Sequence, residues 1–203
     1  MIISRTNFIS NYNLTDEQVR CFDLYAEILL KWQKRINLVS RETLNDVWHR
    51  HFADSAQLIN QLPDKTVSIC DLGSGAGFPA LVLIMLGYEN TTMIESDLRK
   101  TEFLKDVLRR TGKKAEIYNQ RIEEVNLQAD VVTARALAPL KDLLVYAEPK
   151  LYKQGKLLFL KGENYKSEIE DALVGWSFSY TCKPSHTHPE SVIIEIINPT
   201  RRL

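Results

Sequence analysis

A chain of 203 residues, 44% of them hydrophobic, can fill one good core and reads as one domain with an appendage. Its 26 basic and 26 acidic side chains cancel, which excludes a protein that coats nucleic acid by bulk charge but leaves room for a local basic face. A cytoplasmic protein is expected: no apolar run approaches the ~20 residues of a membrane crossing, the first residues lack a secretion-signal layout, and three scattered cysteines without a C-x-x-C pair suit a reducing compartment.

The first helix is predicted from Thr15, whose partner Gln18 completes a capping box. Val19, Phe22, Tyr25, Ala26, Leu29 and Leu30 then recur at helical spacing. A polar break at Ser40-Arg-Glu precedes a second helix, predicted from about Leu44 to about Ile59 and ended by the Pro63-Asp64 turn. Residues 1–62 thus form a helical appendage, and 63–203 the main domain. From Val67 onward strands (67–72, 91–95, 114–118, 130–134, 155–160) alternate with helices (79–86, 98–110, 139–150, 163–174). That order predicts an α/β fold, a mostly parallel sheet with helices on both faces. The last two strands, 176–181 and 191–197, have no helix between them and should form an antiparallel hairpin. Cys70, inside the first strand, reads as packing.

The stretch Val67-Ser-Ile-Cys-Asp-Leu-Gly-Ser-Gly-Ala-Gly-Phe-Pro79 runs a strand into Gly73, Gly75 and Gly77, where a cofactor can press against bare backbone. The spacing is G-x-G-x-G, whereas dinucleotide turns read G-x-G-x-x-G. With Asp71 before the turn and Glu95 at the end of the next strand, the pattern resembles the site of an S-adenosylmethionine-dependent methyltransferase. Amides at the turn would take the carboxylate of the cofactor's amino-acid tail, and Glu95 would accept from the ribose hydroxyls. Phe78 offers an apolar wall, with a core contact as the alternative. In such folds the backbone of Ile122 and Glu123 reads the adenine edge, and Arg135 ends the fourth strand beside the methyl-transfer position. Spacing alone stops at methyltransferase; RNA, a protein and a small molecule all remain open as acceptors.

The resemblance narrows when the appendage is included. Trp32, Asn37-Leu-Val-Ser40, His49-Arg-His-Phe-Ala-Asp-Ser55, Asp71-Leu-Gly-Ser-Gly-Ala-Gly-Phe-Pro79, Ile94-Glu-Ser96, Lys100, Phe103-Leu104, Arg121-Ile-Glu123, Thr133-Ala-Arg-Ala136 and Lys161-Gly-Glu163 together resemble the bacterial glucose-inhibited division protein B family, the small-subunit ribosomal RNA guanine-N7 methyltransferases. That resemblance implies the seven-stranded Rossmann-like class I methyltransferase fold, S-adenosyl-L-methionine as cofactor, and contacts at Gly73, Phe78, Ile122, Glu123 and Arg135. It also implies 16S ribosomal RNA, within the small ribosomal subunit, as partner. A monomer acting on RNA, with no DNA and no membrane, is expected. Two positions depart from the pattern: Ala80 stands where members commonly have Gly, and Pro199-Thr-Arg-Arg-Leu203 stands where many carry a longer basic tail.

Guanine N7 already has an in-plane lone pair, so its methylation needs no general base, and no catalytic side chain is expected. His51, Asp54 and Ser55 share a helix face, but they read as a pocket wall or a helix-to-domain joint, because a hydrolase nucleophile needs an exposed turn and an oxyanion hole. His186 and His188 lack a third ligand, so no metal is expected. The candidate RNA contacts are Lys31, Lys34, Arg35, Arg41, Arg50 and His51 on the appendage, Arg109, Arg110, Lys113 and Lys114 around a helix end, then Lys161, Arg201 and Arg202. N7 faces the deep groove of paired RNA, so the target should be unpaired or splayed out.

Overall fold

A computed structural model describes residues 2–202. The helical part begins earlier than the predicted start at Thr15. Helix α1 (Arg5–Asn11) is capped by Ser4, whose side chain accepts from the Asn7 amide at 3.2 Å. Helix α2 (Asp16–Gln33) has the expected capping box, with Gln18 N to Thr15 Oγ1 at 3.3 Å and Thr15 N to Gln18 Oε1 at 3.0 Å. The single helix expected over 44–59 is instead a broken run: α3 (Arg41–Leu44), a π turn (Trp48–Ala53), α4 (Asp54–Ala56) and a 3₁₀ turn (Gln57–Gln61). A π turn widens the spiral, and such turns recur at functional sites. Here it seats Phe52 in the core while His51 and Asp54 both reach Arg135.

The strands are β1 (Ile69–Leu72), β2 (Thr91–Ile94), β3 (Glu116–Tyr118), β4 (Ala129–Arg135), β5 (Leu151–Lys161), β6 (Trp176–Pro184) and β7 (Val192–Arg201). The described residues join them in one seven-stranded sheet, ordered β3-β2-β1-β4-β5-β7-β6. The first five are parallel; β7 runs antiparallel to β6, the expected hairpin, and also antiparallel to β5. The connecting helices are α5 (Ala80–Met85), α6 (Leu98–Thr111), α7 (Leu140–Ala147) and α8 (Tyr165–Gly175).

Because side chains alternate along a strand, the sheet feeds two cores. Ile69, Met93, Val131 and Leu158 pack with α2, α5 and α6, whereas Cys70, Val132, Leu157 and Phe159 pack with α7 and α8. Burial pushes the Cys70 thiol up to about 12, which makes it a core residue and not a nucleophile. The appendage belongs to the first core. Phe52 meets Phe22 at 5.2 Å and Tyr25 at 5.1 Å between centroids, Tyr25 stacks on Phe78 at 5.4 Å, and the Tyr25 hydroxyl donates to the Ala76 carbonyl under the glycine turn. Ala80 is fully buried in the first turn of α5, its methyl accommodated in the same core. Among the described residues, no helix is long and apolar enough to cross a membrane.

Removing the Phe52 ring should therefore destabilise the whole molecule and not only its N-terminal part. Phe52→Ala is expected to cost ~3–5 kcal/mol, read from urea unfolding followed by both fluorescence and circular dichroism. Separate transitions by the two probes would show that the appendage folds independently.

Candidate active site

Strand order reverses around β1, which lies between β2 and β4, and in open α/β sheets a crevice forms outside the carboxyl ends at such a point. Gly73 follows β1 with φ +60°, and a Cβ there would stand 2.5 Å from Leu137 Cδ1. The turn bounds a cleft of about 450 Å³, inside the ~300–1,000 Å³ usual for small-molecule sites. Of the predicted cofactor residues, Gly73, Gly75, Phe78, Glu95, Ile122, Glu123 and Arg135 all line this cleft. Gly77 does not. It is buried, its φ is +84°, and a Cβ would strike Leu81 and lie 2.9 Å from the Tyr25 hydroxyl, so it serves the packing beneath the turn.

Glu95 is buried, with Oε2 accepting from Gly75 N at 2.8 Å and Oε1 from Asp97 N at 2.8 Å. Both bonds fix the carboxylate's orientation, and each oxygen keeps a second acceptor direction for a diol. Beneath the turn, Asp71 is fully buried. Its Oδ1 accepts from Thr133 Oγ1 at 2.7 Å, while Oδ2 has no partner. Burial pushes its carboxyl up to about 6, against the Thr133 hydrogen bond and the nearby Arg135 charge. A cleft over an underpaired carboxylate, with Glu95 in its wall, suits a ligand that carries hydroxyls and positive charge.

Arg135 ends β4 and is held from several sides. Nη1 donates to the Arg50 carbonyl at 3.2 Å and to Asp54 Oδ2 at 3.3 Å, Nη2 donates to His51 Nδ1 at 2.9 Å, and the guanidinium lies 4.7 Å from the Phe78 ring centroid. Because an arginine can only donate, His51 Nδ1 is the acceptor. The proton then sits on Nε2, 2.9 Å from Thr43 Oγ1. Burial, then the Arg135 and Arg50 charges, lower the imidazole to about 3, so His51 is neutral. It is a joint between helix and sheet and also a wall, but not a phosphate-binding cation. Ser55 Oγ is buried without a partner, which rules out a triad with His51.

A second cleft of about 850 Å³ adjoins the first. The two share Leu38, Arg135, Ala136 and Leu137 and otherwise have different walls. Arg50, Asp54 and the β6–β7 turn (Ser185, Thr187, His188) line the larger one. Asp54 Oδ1 binds that turn through Thr187 Oγ1 at 2.7 Å, and Gln57 Oε1 accepts from His186 N at 3.0 Å. Sequence reasoning missed Leu38 as a wall, Leu137, Thr187 and Glu168. The glycine motif points away from all of them, and only Asn37-Leu-Val-Ser40 was singled out at all.

Several cations differ from expectation. Lys161 lines the larger cleft, but its ammonium donates to the Ala138 carbonyl at 2.9 Å and pairs with Glu168 at 2.5 Å, so its charge is spent inside the protein. Arg201 and Arg202 lie at the opposite edge of the sheet. Lys161 pairs with Val192 at the cleft end, and β7 then carries the chain about 30 Å away at ~3.3 Å per residue. There Arg201 lies 5.3 Å over the Trp176 ring. Arg109 pairs with Asp106, Arg110 with Glu27 and Lys113 with Glu17. Lys31, Lys34, Arg35 and Arg41 are exposed and make no ion pair among the described residues.

A family model described as GidB, rRNA small subunit methyltransferase G, matches residues 18–191. Ribosomal RNA small subunit methyltransferase G of Orientia tsutsugamushi is 44% identical over 186 residues, 92% of this chain and 93% of that protein. The protein of that name from Paramagnetospirillum magneticum is 42% identical over 194 residues, 95% of each. Among solved structures, a ribosomal protein L11 methylase from Lactobacillus delbrueckii subsp. bulgaricus has TM-score 0.59 at 17% identity, over 73% of this chain and 77% of its own. The glycopeptide N-methyltransferase MtfA, complexed with S-adenosyl-L-methionine, has TM-score 0.61 at 10% identity, over 73% and 94%. These structures show the shared fold.

The neutral state of His51 has a signed consequence. An unfolded chain protonates this imidazole near 6.5 and the folded one only near about 3, so stability falls as pH drops below 6.5. Asp71 acts oppositely, because its carboxyl rises from 3.8 to about 6 on folding and favours the folded state as pH falls through 6. Comparison with His51→Gln isolates the first effect. Wild type should lose about 2 kcal/mol relative to the variant between pH 7 and pH 5, measured by urea unfolding. A constant difference would mean that His51 titrates freely in the fold.

Proposed function

The chain belongs to the GidB family, rRNA small subunit methyltransferase G, and we propose that it methylates N7 of one unpaired guanine in small-subunit ribosomal RNA, with the methyl coming from S-adenosylmethionine. The observation that carries this reading is the pair of clefts meeting at Leu38, Arg135, Ala136 and Leu137. One is built for a nucleoside with a charged tail; the other has room for a splayed-out base.

S-adenosylmethionine, when bound, supplies an electrophilic methyl, and the N7–carbon bond forms as the sulfonium–carbon bond breaks. Glu95 would hold the ribose hydroxyls, Gly73 and Gly75 leave room at the turn, and Ile122 with Glu123 walls the adenine end. Leu38 and Leu137 line the junction with apolar surface and exclude water from it. No side chain has to remove a proton, because N7 has none. The task left to the protein is positioning. Arg135 does this without opposing the cationic product, since its charge is matched by Asp54 at 3.3 Å. The exposed cations Lys31, Lys34, Arg35 and Arg41, with Arg50 at the cleft wall, form the surface for RNA phosphates.

Two measurements test this reading. Labelled methyl should pass from S-adenosylmethionine to small ribosomal subunits that lack the modification, and digestion should place it on guanine N7. Gly73→Ala, whose new methyl meets Leu137, should cut transfer ~100-fold or more; label on any other atom would overturn the reaction. Neutralising Lys34 and Arg35 together should reduce the salt slope of RNA affinity by about 1.4, at ~0.7 per phosphate contact, and leave cofactor affinity unchanged. Equal loss of both affinities would make that segment structural.

A further inference from the structure

Guanine N7 and its N1–H/N2–H₂ edge lie on opposite sides of the base. With N7 at the junction of the clefts, the N1/N2 edge points into the part of the larger cleft that the smaller one does not share. Among the described residues, Asp54 and Glu168 are the carboxylates lining that space. Asp54 is spent: Oδ1 accepts from Thr187 at 2.7 Å and Gln57 at 3.0 Å, and Oδ2 from Arg135 at 3.3 Å. Glu168 is half spent. Its Oε2 accepts from Leu140 N at 2.7 Å and pairs with Lys161 at 2.5 Å, which pins the carboxylate, while Oε1 receives no hydrogen bond from any described residue.

Resting on the N7 reading above, we propose that Glu168 Oε1 accepts from the N1–H and N2–H₂ groups of the target guanine and is the residue that selects guanine over adenine. The two donors point the same way from one edge, and a carboxylate oxygen has two lone pairs to receive them. Adenine also has a nucleophilic N7, so its rejection requires a contact elsewhere on the ring. Its N1 would present a lone pair to the carboxylate, an unpaired and repulsive contact. The same bond assists transfer. Methylation at N7 makes the ring cationic and N1–H more acidic, so the hydrogen bond to Glu168 strengthens as the reaction proceeds.

The pinned oxygen predicts what a glutamine would do. Leu140 N–H and Lys161 require an acceptor at the Oε2 position, so in Glu168→Gln the amide nitrogen would replace Oε1 and turn an acceptor into a donor. The test compares target RNAs carrying guanosine, inosine or adenosine at the methylated position, with wild type, Glu168→Ala and Glu168→Gln, and cofactor affinity by calorimetry. Wild type should prefer guanosine over inosine, which lacks N2–H₂, by about tenfold, one hydrogen bond's worth. In Glu168→Ala that ratio should fall toward one. In Glu168→Gln the adenosine-to-guanosine ratio should rise at least tenfold, with cofactor affinity kept in both variants. No guanosine preference in wild type, ratios unchanged in the variants, or cofactor affinity lost in step with transfer would each overturn the proposal and leave Glu168 as a strut for Lys161. Failure of wild type to label guanosine N7 at all would instead defeat the reaction proposed above.

Discussion

The cleft geometry depends on one half-buried guanidinium. Arg135 ties together the π turn through the Arg50 carbonyl and His51, the start of α4 through Asp54, and the glycine turn through the Phe78 ring. Asp54 extends the tie to the β6–β7 turn. A half-buried ion pair of this sort adds little net stability, since desolvation offsets much of the attraction. Removing one partner is costly, however, because it strands the other charge. The pair therefore acts chiefly as a locator. It fixes where the appendage meets the sheet, and with that where the two clefts touch.

The locator is also electrically quiet. Arg135 is balanced by Asp54, Lys161 by Glu168, and His51 is held neutral. The proposed methyl acceptor, cationic once methylated, would lose by an unmatched positive neighbour. The free cations lie elsewhere, on exposed positions such as Lys34 and Arg35, where they can meet phosphates. On the other side, Glu95 lines the smaller cleft and Asp71, with one oxygen unpaired, lies beneath its glycine turn, an arrangement suited to the positively charged cofactor of the proposed reaction. Charge is thus sorted by place in a chain whose total is zero.

The strands, their alternation with helices and the glycine turn were legible because short apolar runs, amphipathic helical spacing and clustered glycines leave direct marks on local sequence. The irregular run from Arg41 to Gln61 was not, since a π turn is made by tertiary partners and not by propensity. Nor were the cations. Lys161 and Lys34 look alike in a sequence, and only folding shows that one ammonium is bound by Glu168 and a carbonyl while the other is exposed. Arg201 and Arg202 were misplaced for a different reason. The antiparallel direction of the last strand was foreseen, yet its consequence, that the chain leaves the cleft edge at Val192, comes from register. Helix α1 went unread because it is short, with Phe8 its one buried residue.

Gly73 illustrates how a motif residue can be needed for two reasons at once. The usual argument concerns close approach of a cofactor to backbone. In this fold the space is also contested from the other side, because Leu137 lies where the Cβ would go. Leu137 is there because the loop after β4 is bent by Ala136 at φ +53°, a conformation costing ~1–2 kcal/mol in a non-glycine residue, and because Lys161 holds Ala138 from below. Lys161 in turn is held by Glu168, which also receives the first amide of α7. Glycine turn, strained loop, partly buried lysine and helix-borne glutamate are thus consecutive links of one wall, with the smaller cleft on one side and the larger on the other. Under the proposed reaction a change at any link would alter the distance between methyl donor and acceptor, the quantity on which methyl transfer depends most steeply.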